Sequence, residues 1–152
     1  MENLTEAQIQ ELKKKNEEKK EYLLSYKQYK LQAKRLQEQL NELRLGKMFP
    51  GLILSDMPSA HSQKDLSDYM AKYDELERKI IKAKKQAIER YSEVQMQIEQ
   101  MENENEKTVL TLRYLRNYKW EKICIELDYS WRQVHYIHSK ALEHFEYSDR
   151  IA

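Results

Sequence analysis

Apolar and small residues recur along the front of the chain as Tyr22, Tyr26, Tyr29, Ala33, Leu36, Leu40 and Leu43, stepping alternately by 4 and 3. That alternation is the a/d spacing of a heptad, so it predicts one long helix over about 5–45 with a coiled-coil seam. Lys, Gln, Glu and Arg fill the positions between, as a solvated outer face requires, and Gly46 follows as the helix stop. The alternation resumes as Leu66, Tyr69, Tyr73, Leu76, Ile80, Ala83 and Ala87, predicting a second long helix over about 63–101. Ser62, with Asp65 three residues on, is its expected cap. From Ala87 the apolar series runs Tyr91, Val94, Ile98 and Met101, which reads as a stutter near Tyr91. Two helices of matched length imply an antiparallel hairpin.

All four Gly and Pro residues, Gly46, Pro50, Gly51 and Pro58, fall in one window. It is the expected connector, 46–62, with Leu52, Ile53 and Leu54 folded back on a helix. A polar stretch from Glu102 to Glu106 then separates the hairpin, 1–101, from a small module, 102–152. Asn103 and Asn105 are candidate caps, and Glu106 stands three residues after Asn103. In the module Val109, Leu112 and Leu115 mark one helix face, and Trp120, Ile123 and Leu127 mark a second. After a turn at Asp128-Tyr129, Ser130 caps a third helix with Gln133 at the capping-box position. Val134, Ile137, Ala141 and Phe145 recur on one side of that helix. The fold class is therefore all-α: a long antiparallel helical hairpin followed by a helix-turn-helix.

Composition narrows what this scaffold does. Lys and Arg number 27 against 26 Asp and Glu, a formal charge of +1, so no strongly basic or acidic tail is present. Only 40% of residues are apolar, which favours elongated helices over a large core. The longest apolar run falls far short of a membrane span, and the first residues do not read as a signal peptide. The single cysteine, Cys124, fits a small buried position near the helix-turn-helix contact and a reducing compartment. Cytoplasmic localisation is the expectation.

No Gly-rich phosphate loop and no nucleophile with a matched base is legible, so an enzyme is not expected, nor is a cofactor. His135, His138 and His144 do not assemble with a carboxylate or thiolate into a metal set. The third helix is more informative. Opposite its apolar side lie Arg132, Tyr136, Ser139 and Lys140, flanked by Gln133 and His135, with no acid before Glu143. Arg and Gln can pair with guanine and adenine edges, and Lys140 suits a phosphate. Trp131 and His138 fall nearer the apolar side and read as packing residues.

The segments Val109–Tyr114, Trp120–Cys124, Leu127–Ser130 and Val134–Leu142 resemble region 4 of sigma-70-type transcription factors. The front part, with Leu54–Pro58 and Lys64–Tyr69 after a Tyr-rich helix, resembles a family of phage and prophage proteins of Gram-positive bacteria. In that uncharacterised family a region 4-like end follows two helices, and the resemblance implies regulation of phage transcription in the manner of ArpU-type proteins. The resemblance implies a partner in double-stranded DNA and in host RNA polymerase. Two departures stand out: Asp128 replaces the usual turn glycine, and Lys119 stands where a Ser or Thr often caps. The rival expectation is an interaction protein whose hairpin dimerises or holds a partner and whose helix-turn-helix docks on protein; the near-neutral charge favours it.

Overall fold

The computed structural model describes residues 3–46 and 60–148, with the side chains of 60–62 outside the description. The chain is all-α. Helices α1 (Glu6–Arg44) and α2 (Ala60–Glu99) pair antiparallel. A C-terminal set follows: α3 (Glu104–Leu110), running into a π-helical turn at Thr111–Leu115, then α4 (Trp120–Leu127) and α5 (Trp131–His144). Gly46, at φ 78, ends α1 in the left-handed region, and its N–H bonds to the Leu43 carbonyl at 3.0 Å. Helix α2 begins ahead of Ser62, so that residue lies in the first turn and is not the cap. The expected packing of Leu52, Ile53 and Leu54 lies outside the described residues.

The chain groups into two compact units, residues 1–26 with 88–152 and residues 27–87. In the 27–87 unit the seam is Ala33, Leu36, Leu40 and Leu43 against Leu76, Ile80 and Ala83, with Tyr69 and Tyr73 partly covered. Arg44 closes it, donating from Nη2 to the Tyr73 hydroxyl at 2.8 Å with its guanidinium over that ring. Leu66, expected on the seam, is exposed, because the buried face starts at Tyr69.

In the other unit the two successive steps of four fall at Arg90, Val94 and Ile98, further along than expected. Buried positions on α2 continue Ala83, Ala87, Arg90, Val94, which keeps the 3–4 spacing and puts Arg90 where the apolar series skips to Tyr91. Tyr91 is consequently 36% exposed while Arg90 is 3% exposed. The buried guanidinium has specific partners: Nη1 donates to Ser25 Oγ at 2.9 Å, the Glu93 carboxylate forms an ion pair 3.6 Å from Nε, and the Tyr22 ring covers it at 4.8 Å.

In this unit the C-terminal helices share a buried core with α1 and α2. Tyr22, Leu23, Tyr26, Val94 and Ile98 form one buried cluster with Leu110, Tyr114, Leu115, Ala141, Leu142 and Phe145. Two α1 side chains add polar ties. The Tyr26 hydroxyl donates to the Tyr114 carbonyl at 2.7 Å and accepts from Asn117 Nδ2 at 3.3 Å. Lys19 Nζ donates to the Leu142 and Glu143 carbonyls at 2.6 and 3.2 Å, at the negative end of the α5 dipole. Beyond α5 the chain turns extended, and Tyr147 stacks on Tyr22 with ring centres 4.3 Å apart.

Residues 102–152 expressed alone are therefore expected to lack a cooperative thermal transition by circular dichroism, because the partners of Leu110, Tyr114 and Leu142 are gone. In the full chain, Tyr26→Phe is expected to cost about 1 kcal/mol in urea unfolding, the worth of a buried hydrogen bond whose acceptor is left unsatisfied. Unchanged stability would remove Tyr26 as a cap.

Candidate nucleic-acid interface

The helix-turn-helix is built from local rules. Asn103 caps α3 by accepting from the Glu106 N–H at 3.1 Å. Glu106 does not reach back as a capping box would; it is buried, and its carboxylate pairs with His144 Nδ1 at 2.6 Å, joining α3 to the end of α5. The π turn is closed by the Arg116 N–H on the Thr111 carbonyl at 2.9 Å. One extra residue per turn splits the helix face: Leu110, Tyr114 and Leu115 point to the α1/α2 cluster, while Leu112 joins Ile123 and Val134 in a second one. Tyr118, Trp120, Cys124, Leu127 and Tyr129 pack around that second cluster, which places Cys124 half-buried at the helix contact as expected.

Lys119, the residue before α4, provides no side-chain cap, and Asn117 just ahead takes φ 61. The segment is held by cations on rings: Arg113 lies 4.5 Å over Trp120 and donates to the Tyr118 carbonyl, and Lys122 Nζ sits 3.8 Å over Tyr118. Asp128 ends α4 at φ 54, ψ 45, so the turn glycine's conformation is taken by an aspartate. Its N–H reaches the Cys124 and Ile125 carbonyls. Ser130 Oγ accepts from the Gln133 N–H at 3.1 Å and starts α5 where expected.

On α5 the buried side is Val134, His138, Ala141 and Leu142, with Phe145 buried just past the helix end. Ile137 is only half-buried: the face is turned toward His138 and Leu142 relative to the apolar spacing. The opposite side presents Arg132, Gln133, Tyr136 and Ser139 to solvent, with Tyr136 63% exposed. Lys140 stands at the same face, 3.4 Å from Glu143 and 5.9 Å over the Tyr136 ring. His135 is placed differently. It is half-buried between the rings of Trp120 and Trp131, at 4.5 and 4.4 Å, and its Nε2 is covered without a hydrogen-bond partner among the described residues. Trp131, expected to pack, is 54% exposed at the first turn of the helix, beside Arg132 and Gln133. Its spacing matches the core face, but its ring packs on His135 at the edge of that face.

The fold and site define an all-α protein carrying a capped helix pair with a polar, acid-poor outer face. The chain belongs to the family described as protein of unknown function (DUF1492), whose family model matches residues 56–146. No curated protein and no solved structure matches it. Among the described residues no helix is long and apolar enough to cross a membrane.

His138 anchors α5 from inside. Its Nε2 shares a hydrogen bond with the Tyr114 hydroxyl at 2.6 Å, and the Trp120 ring lies edge-on at 4.7 Å. Burial lowers the His138 pKa to about 4, helped by the nearby charges of Lys20, His135 and Arg113, so the imidazole is neutral in the fold. Burial also pushes the Tyr114 hydroxyl pKa upward, keeping it protonated. A depressed folded pKa means the unfolded chain takes the proton first: the contribution is complete above the unfolded value near 6.5 and is lost as pH falls toward 4. The expected loss across that window is on the order of 3 kcal/mol. His138→Gln, although less stable at pH 8, is expected to show a flatter stability profile from pH 7 to 4. Parallel profiles for the two proteins would remove His138 as the titrating group.

Proposed function

We propose that the chain is a sequence-specific DNA-binding transcriptional regulator that uses α5 as its recognition helix and acts, without catalysis or cofactor, beside host RNA polymerase. The observation that carries this reading is the outer face of α5: a Ser130-capped helix whose exposed N-terminal side offers Arg132, Gln133 and Tyr136 together. The N-terminal part of such a helix is what enters the major groove. Arg132 suits the O6 and N7 acceptors of guanine, and Gln133 suits adenine. Ser139 and Lys140, further along, suit phosphates, and His135 acts by holding Trp131 rather than by reaching a base edge. The resemblance to sigma-70 region 4 and to ArpU-type regulators supports the same reading.

An accessory role follows from what the hairpin carries. Its outer positions are mainly Lys, Glu and Gln, without the aromatic cluster that stacks on unpaired bases in promoter melting. The regulator would bind near a phage promoter and recruit or redirect polymerase already loaded with a host sigma factor. One observation favours a second reading, docking on a protein: Ile125 on α4 is 80% exposed beside Glu121, Lys122 and Glu126.

On the selected site, Arg132→Ala is expected to cost about 1–3 kcal/mol and relax the preference at one base pair, while Lys140→Ala weakens all sequences alike. Equal losses on specific and random DNA would end the base-reading role, and affinity insensitive to salt would favour the protein-docking reading. In transcription with purified components, activation is expected only when the host sigma factor is present. Initiation with core polymerase and this protein alone would instead mark a complete sigma factor.

A further inference from the structure

The net charge of +1 conceals a strong segregation inside the 27–87 unit. On α1, residues 26–37 hold Lys27, Lys30, Lys34 and Arg35 and no carboxylate. On α2, residues 78–88 hold Arg78, Lys79, Lys82, Lys84 and Lys85 and again no carboxylate. Ala33 and Ala83 share one buried cluster, so the two runs lie side by side at one end of the unit. The remainder of its helices, residues 36–44 and 63–77, holds seven carboxylates against three cations. Repulsion among nine cations opposes the packing of these helices, and a solvated face with interspersed signs would serve solubility as well.

We propose that this belt is a second interaction surface that takes the phosphate backbone of double-stranded DNA, independent of any base reading by α5. Lys30, Lys34, Arg35, Lys82 and Lys84 are exposed. Lys79 is held by Glu75 at 2.7 Å and Arg78 Nε by the Asp74 carbonyl at 3.3 Å, so the belt's reach rests on those five exposed cations. Lys27, Lys30 and Lys34 recur at the spacing of one helix side over about 10 Å, and a duplex presents a phosphate charge about every 1.7 Å. Gln28 and Gln32, set among the α1 cations, add neutral hydrogen-bond donors for phosphate oxygens. A bilayer surface fits less well. It needs a continuous apolar helix face to insert, and here the apolar faces are committed to Ala33, Leu36, Ile80 and Ala83, leaving Leu31 on one helix and Ile81 and Ile88 on the other exposed among the lysines.

The test uses the full chain and random-sequence duplex DNA, titrated over a range of salt. The fourfold variant Lys30→Gln, Lys34→Gln, Lys82→Gln, Lys84→Gln is compared with wild type after its thermal transition confirms folding. The expected result is a salt slope shallower by about 3 and affinity at least about 30-fold weaker in low salt. An unchanged slope overturns the proposal. So does selective loss of binding to phosphatidylserine vesicles with DNA binding intact, which would make the belt a membrane surface. Arg132→Ala runs alongside on both the selected site and random duplex: it is expected to weaken the selected site and leave the salt slope on random duplex unchanged, so failure of the α5 reading and failure of the belt give different results.

Discussion

A helix that stops inside a protein leaves its last carbonyl oxygens without intrahelical donors. In this chain two such ends, that of the α3 π turn and that of α5, are met by side chains one heptad apart on α1: Tyr26 on the Tyr114 carbonyl, and Lys19 on the Leu142 and Glu143 carbonyls. Between them Tyr22 and Leu23 bury against Leu142 and Phe145. The C-terminal helices consequently depend on α1 both for their core and for the satisfaction of their backbone. Burial depresses the Lys19 pKa, yet the facing carbonyls and the α5 dipole favour its charged form at neutral pH.

That dependence changes what the hairpin is for. An autonomous helix-turn-helix with a coiled-coil spacer would place its core within residues 102–152. Here Leu112, Ile123 and Val134 make a small internal cluster, and the larger one is completed from α1 and α2. Arg90 sits at the α2 side of that larger cluster, held by Ser25 and the Tyr22 ring. A buried cation with specific partners fixes register more strictly than apolar contacts do, since a shift by one helical turn would strand the charge.

The heptad alternation made both long helices, their antiparallel pairing and nearly all of the 27–87 seam legible, because a/d spacing is a local signal. The turn chemistry at Asp128 and the cap at Ser130 were legible for the same reason. What escaped the sequence were residues whose role is set across the fold. Arg90 kept the spacing but carried a charge, so the apolar series stepped to Tyr91; strict continuation of the count would have found it. Tyr26 and Lys19 read as seam and surface, since their acceptors lie far along the chain. Trp131 matched the core phase of α5 yet is exposed, and periodicity carries no information about which neighbour stands opposite a position.

Net charge is a sum, and a sum hides arrangement. The near balance of 27 and 26 argued for a protein-docking role, because a nucleic-acid binder is expected to carry a basic stripe. Counting by unit instead of by chain separates an acid-free end of the 27–87 unit from a carboxylate-rich remainder, and an acid-free turn of α5 from the carboxylates of α3 and α4. Fields at a surface act over roughly a Debye length, about 8 Å at physiological salt. The carboxylates that cancel the total are mostly spread elsewhere along the helices, so they do little to neutralise what a phosphate would meet at either patch. An overall charge near zero is therefore compatible with DNA contact wherever the positive residues are clustered and the negative ones are not.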